Sequence, residues 1–189
     1  FGMTPEEDSS LFDRYLKNQF NYEEWTRQII AILKDRNLCT ESKVKEFSES
    51  ISLRDGAFDL IQACKDAGYK TIILSGGLKQ IVEPFANQLG IDEVYSTNEI
   101  VFDTDGAFVS IHDQSDEMHA KVKAFIDVCA KYEILEDEAI MVGDGGNDLE
   151  IFKRTKKAIQ IGNYEPLKEF AWKQVQNLYF RIDTPEAFF

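Results

Sequence analysis

A chain of 189 residues with a 43% hydrophobic share and 14 Phe carries enough apolar side chain for one packed domain with a small accessory lid, and this excludes global disorder. Its formal net charge of −13 disfavours nucleic-acid backbones and anionic membranes as partners, and it makes any anionic substrate depend on a local cation, whether Lys, Arg or a metal. No apolar run reaches the length of a membrane span, no basic-then-apolar signal peptide opens the chain, and Cys39, Cys64 and Cys129 form no CxxC, so the thiols read as packed side chains of a reducing, cytoplasmic protein.

The first fifty residues predict helices. Thr4-Pro5-Glu6-Glu7 supplies an N-cap, a Pro at the first helical position and a Glu at the third. Asn21 repeats the capping signal, and Tyr22, Trp25, Ile29, Ile32 and Leu33 follow a helical period. Thr40 precedes a further short helix containing Val44 and Phe47. From residue 51 strands and helices alternate. Residues 57–67 predict a helix stopped by Gly68, and 69–74 (YKTIIL) a strand buried on both faces. A helix over 78–89 ends at Gly90, and a short strand is expected around Val94. Residues 119–131 are helical, 139–142 (AIMV) form a second buried strand, and Leu149 opens a helix. A strand over 157–161, a helix over 164–172 and a strand near 178–182 complete the chain. The alternation predicts an α/β fold with a parallel sheet, a helical cap over 1–50 and a core over 51–189.

Three patterns stand at strand or helix ends. In Ile72-Ile73-Leu74-Ser75-Gly76-Gly77 a strand delivers a hydroxyl, and glycines allow close approach of backbone N–H groups to an anion; a turn that merely needs glycine explains the same letters. In Gly143-Asp144-Gly145-Gly146-Asn147-Asp148, directly after four apolar residues, two carboxylates four apart suit a hard cation such as Mg²⁺. Helix capping explains Asp148 but not the cluster. Lys121, by itself, reads as a solvated residue near a helix start.

Together and in this order, the three patterns resemble the second, third and fourth motifs of the haloacid-dehalogenase-like (HAD) superfamily, in its phosphoserine-phosphatase-like branch. Lys121 follows Ser75 by 46 residues and precedes Asp144 by 23, as in that branch. The resemblance implies a Rossmann-like parallel sheet with helices on both faces, a small helical cap, and Mg²⁺-dependent hydrolysis of a small phosphorylated metabolite through a phospho-aspartate. It implies that Ser75, Gly76, Gly77, Lys121 and Asn147 hold the phosphoryl group. Ser75, Lys121, Asp144 and Asp148 would be catalytic; Asp144 and Asp148 would form the metal site, Asp144 as ligand and Asp148 supporting it through water or from behind the ligand.

The family's nucleophile is the first Asp of an Asp-x-Asp-Gly-Thr motif that precedes the cap. Asp103-Thr104-Asp105-Gly106 imitates those letters, but it lies after Ser75 and is flanked by alternating apolar residues, which predicts a β-hairpin turn. Asp8 and Asp13 fall in a predicted helix, so the nucleophile is expected upstream of Phe1. Two alternatives remain: a catalytically inactive relative that binds a phosphorylated ligand, and a phosphotransferase. The cap position where the branch carries a substrate-gripping arginine aligns with Ile29, with Arg27 at a neighbouring basic position, which argues against phosphoserine as substrate.

Overall fold

The computed structural model describes residues 2–113 and 117–176. In chain order its elements are α1 (Pro5–Leu16), α2 (Tyr22–Arg36), α3 (Glu41–Ser50), α4 (Ala57–Asp66), β1 (Ile72–Leu78), α5 (Lys79–Leu89), β2 (Glu93–Phe102), β3 (Phe108–Asp113), α6 (Glu117–Lys131), β4 (Ile140–Gly143), α7 (Leu149–Phe152), β5 (Lys157–Ile161), α8 (Glu165–Lys168) and β6 (Lys173–Val175). Two three-stranded sheets have the orders β1-β2-β3 and β4-β5-β6. The chain divides into two compact units. One comprises Phe1–Ser52, Gly77–Pro84 and Ser96–Asp116; the other comprises Leu53–Gly76, Phe85–Tyr95 and Glu117–Phe189.

In the first unit the helix starts follow their caps. Thr4 Oγ1 accepts from Glu7 N while Glu7 Oε2 accepts from Thr4 N, a reciprocal capping box. Asn21 Oδ1 accepts from Glu24 N at 2.9 Å, and Thr40 Oγ1 from Lys43 N. The helices bury Leu33, Cys39 and Val44 against Ile100, with Ile29, Leu78, Phe102, Phe108 and Ile111 around them. β2 and β3 pair antiparallel from Asn98↔Asp113 to Phe102↔Phe108, so residues 103–107 form the expected hairpin turn. Asp103 builds that turn: its Oδ1 accepts from Asp105 N and Ala107 N, each at 2.9 Å. Gly106, at φ +75°, takes the left-handed position that an L side chain disfavours.

In the second unit β4, β5 and β6 are parallel, in the register Met141↔Ala158, Gly143↔Gln160 and Gln160↔Gln174. The core gathers Phe125 and Cys129 of α6, Met141 of β4, Ile151 and Phe152 of α7, Ala158 of β5 and Leu167 of α8. Ile151 and Phe152 are fully enclosed, and burying side chains of this size stabilises by about 1.5–3 kcal/mol each. This packing holds the short α7 directly behind the Gly-rich loop.

Three expectations need correction. The strand predicted over 69–74 is β1, Ile72–Leu78, and it runs on through Ser75-Gly76-Gly77 rather than turning there. Its start is delayed because Tyr69 N closes the end of α4 on Cys64 O, and Thr71 N and Oγ1 are taken by Asp92 Oδ2. The strand around Val94 is the first part of β2, which is ten residues long. Its polar middle, Ser96-Thr97-Asn98, disguised it, yet Thr97 is buried and Ser96 donates to Gly77 O. The helix predicted over 164–172 stops at Lys168, because Trp172 N is drawn to Ala158 O of β5. The sheet strand that follows is Lys173–Val175; the strand expected near 178–182 lies outside the described residues.

Candidate active site

The loop after β4 is organised by a buried ion pair. Lys121 Nζ stands 2.5 Å from Asp148 Oδ1, and the two side chains are only 7% and 3% exposed. The other carboxylate oxygen, Oδ2, accepts from Asp144 N at 3.0 Å and Gly145 N at 3.1 Å. One aspartate therefore ties helix α6 to the loop and folds that loop back on itself through two amide donors. Asp148 does not cap α7 with its side chain. Each oxygen already has a charged or amide partner, which removes the desolvation cost that an unpaired buried carboxylate would carry.

Gly143 makes this arrangement possible. A Cβ at that position would lie 2.5 Å from both Cγ and Oδ2 of Asp148, closer than real Cβ contacts come. The glycine is thus required by the space Asp148 occupies, and its φ is not in the left-handed region. Asp144 is exposed, held at its own N–H. Asn147 is half-buried, with its Oδ1 beside Gly145.

Lys121 corrects the reading of that residue as solvated: it is 6% exposed. The sequence held a signal for this. Phe125 and Cys129, four and eight residues on, are core residues of α6, so helical spacing puts Lys121 on the same buried face. A lysine on a core-facing helix stripe needs an anion, and Asp148 is that anion.

The structure brings Lys121, Asp148 and the Asp144–Gly145 backbone together. It places Ser75 and Gly76, both half-buried, in β1 directly after Leu74, which packs against the core that carries α6 and β4. Gly77 is exposed and extended at the next position.

The chemistry of the donors bears on a metal. Among the described residues, no group of three or more His, Cys, Asp or Glu side chains gathers to cage an ion. Mg²⁺, however, keeps several waters and binds through one or two carboxylates plus substrate phosphate. The exposed carboxylate of Asp144 fits one such oxygen ligand. Asp148, with both oxygens engaged, fits a supporting role behind it. The cysteines offer no alternative nucleophile: burial pushes all three thiols up from their ordinary range.

Sequence reasoning missed Gln160 and Tyr164, which flank this loop. Gln160 pairs in register with Gly143 and is completely enclosed, and the Tyr164 hydroxyl lies against Gly146. The signal available for Gln160 was one amide in an otherwise apolar strand.

Comparison with known proteins agrees with this architecture. The family model of the haloacid dehalogenase-like hydrolases matches residues 6–153. The chain is 34% identical over 134 residues to a phosphoserine phosphatase of Polaromonas sp., covering 68% of this chain and 55% of that one. It is 26% identical over 166 residues to a phosphoserine phosphatase of Archaeoglobus fulgidus, covering 88% of this chain and 47% of the relative. The chain thus spans about half the length of these two relatives. In fold it is similar to a solved phospho-aspartyl intermediate analogue of phosphoserine phosphatase, with a TM-score of 0.75 at 24% identity over 91% of this chain and 80% of that one. A family model that matches residues 6–153, on the α6–β4–α7 arrangement described above, shows that the chain belongs to the haloacid dehalogenase-like hydrolases, in the phosphoserine-phosphatase-like branch.

Proposed function

We propose that this protein takes part in Mg²⁺-dependent hydrolysis of a small phosphomonoester through a phospho-aspartate, with the nucleophilic carboxylate supplied upstream of Phe1. The observation that carries the reading is the buried Lys121–Asp148 pair at the tip of β4, beside the exposed Asp144. An ammonium has three N–H donors, and among the described residues Lys121 uses one of them, toward Asp148 Oδ1. The other two are available to phosphoryl oxygens. In a protein of net charge −13, a desolvated cation of this kind makes a phosphoryl site possible. Asp148 holds Lys121 in place.

Ser75 Oγ and the Gly76 amide join this group in the proposal and hold the equatorial oxygens, with Asn147 beside them. Asp144 would hold Mg²⁺, which when bound supplies charge neutralisation at the phosphate. The nucleophilic carboxylate oxygen forms a bond to phosphorus as the ester P–O bond breaks, and the leaving oxygen takes a proton. Water then attacks phosphorus, releasing inorganic phosphate and restoring the carboxylate. In this reading Asp103 is not the nucleophile; its Oδ1 accepting from Asp105 N and Ala107 N in the hairpin turn supports a structural role. Residues 1–50 serve as the cap in this reading, and residues 51–189 as the core.

The relatives are named for phosphoserine, yet the position of the family's substrate-gripping arginine aligns with Ile29. Ile29 packs into the apolar core of its own unit, and neighbouring Arg27 is exposed and paired with Glu23 at 2.9 Å. The proposed substrate therefore lacks a carboxylate that must be gripped. The test is phosphate release by the full-length protein with Mg²⁺, comparing phosphoethanolamine with phosphoserine. Turnover lost in Asp144→Asn is expected, with phosphoserine the poorer substrate. No release from a broad phosphoester panel would favour a ligand-binding role without catalysis.

A further inference from the structure

The loop after β4 rests on a second, unassigned support. The strap Gly162–Tyr164 after β5 is tied down from below by two glutamines: Gln160 Nε2 donates to Tyr164 O at 2.7 Å and Gln174 Nε2 to Gly162 O at 2.7 Å. Gly162 N also donates to Val175 O at 2.8 Å, and Leu167 N to Tyr164 O at 3.1 Å. Gln160 has no exposure, and its Oε1 finds no partner among the described residues, so the hydrogen bond its amide makes is the one to Tyr164 O. Its register partner is Gly143, so the two residues face the same side of the sheet. That side is where Asp148 fills the space over Gly143.

The strap presents Tyr164 to the loop. A Cβ built on Gly146 would lie 3.1 Å from the Tyr164 hydroxyl oxygen and 3.6 Å from Cζ. The hydroxyl makes no hydrogen bond among the described residues, so its contact with Gly146 is one of packing. Gly146 does not adopt a positive φ. Its lack of a side chain is accounted for by Tyr164 rather than by backbone conformation.

We propose that Tyr164 is a positioning residue, held by Gln160, that clamps the Gly145–Gly146 segment and so keeps the Asp144 carboxylate aimed. The part of this that concerns catalysis rests on the reading of the loop as a phosphoryl site. The clamp itself does not.

The test is amide hydrogen exchange at Asp144 and Gly145, both bonded to Asp148, in the full-length protein and its variants. Tyr164 is 43% exposed, so truncating it leaves the fold intact. Tyr164→Ala is expected to speed exchange at these two amides by about tenfold, leaving amides of α2 unchanged. Gln160→Met is expected to act in the same direction. Gly146→Ala should also loosen the loop, and Tyr164→Phe added to it should restore protection, because the contact relaxes from 3.1 to 3.6 Å. Exchange unchanged within about twofold in Tyr164→Ala, or no rescue of Gly146→Ala by Tyr164→Phe, overturns the clamp. In phosphate release, Tyr164→Ala should raise the Mg²⁺ concentration needed for half-maximal rate while KM for substrate stays put, and Tyr164→Phe, which keeps the ring but loses the nearest atom, should fall between wild type and Tyr164→Ala. An unchanged Mg²⁺ requirement in Tyr164→Ala overturns the link to Asp144. If the wild-type protein releases no phosphate, the proposed function falls, and the exchange and rescue measurements still decide the clamp.

Discussion

Asp148→Asn isolates the charge in the Lys121–Asp148 pair. Asparagine is nearly isosteric and keeps one carbonyl oxygen, which can still accept from Asp144 N and Gly145 N, at 3.0 and 3.1 Å in the native loop. Its amide then turns toward Lys121, donor against donor, and the ammonium loses the anion 2.5 Å away. With Lys121 only 6% exposed, water does not replace that anion. Removing one partner of a buried pair costs about 3–5 kcal/mol. For a chain of this size that corresponds to a fall in Tm of about 6–20 °C, at about 2–4 °C per kcal/mol. The assay is thermal and urea unfolding of wild type, Asp148→Asn, Lys121→Met and the double variant. The double variant leaves no uncompensated charge, so its cost should fall short of the sum of the singles by at least about 2 kcal/mol. A single-variant cost under about 1 kcal/mol together with additive behaviour would refute the buried pair.

Gly143→Ala should destabilise by about 1–3 kcal/mol, since its Cβ would overlap the Asp148 carboxyl and force it off Lys121; chemical denaturation reads this, and a neutral result would contradict the packing. Asp103→Ala should cost about 1 kcal/mol through the two lost turn bonds, whereas Asp103→Asn should retain both the fold and the activity of the full-length protein; complete loss of turnover in a folded Asp103→Asn would restore Asp103 as a nucleophile. Asp92, bonded to Thr71 N, Thr71 Oγ1 and Lys70 Nζ, is lowered from its ordinary 3.8 to about 2, chiefly by the Thr71 backbone bond. Its contribution is complete above the unfolded value near 4 and is lost as pH falls toward 2, so wild-type stability should decline across that window and Asp92→Asn should flatten the decline in acid denaturation followed by circular dichroism.

Much of the local structure was legible because it depends on neighbours in the chain. Thr4, Asn21 and Thr40 cap helices by bonding amides three residues on, and Gly68 takes φ +80° at the end of α4, so short-range chemistry decided these boundaries. The hairpin at 103–107 was legible for the same reason, since Asp103 bonds Asp105 and Ala107. The order and spacing of Ser75, Lys121 and the Asp144–Asp148 cluster carried the family. What the tertiary structure decided is where those side chains go. Lys121 changed from a surface residue to half of a buried pair because α6 turns the Phe125–Cys129 stripe inward, and Asp148 stands 27 residues away in sequence. Asp148, expected from the motif to support a metal, organises the loop itself, because the bare Cα of Gly143 leaves room for its carboxyl. Gln160 and Tyr164 were silent in the sequence, since register across β4 and β5 and packing on Gly146 are set by contacts between distant segments, which local periodicity does not encode.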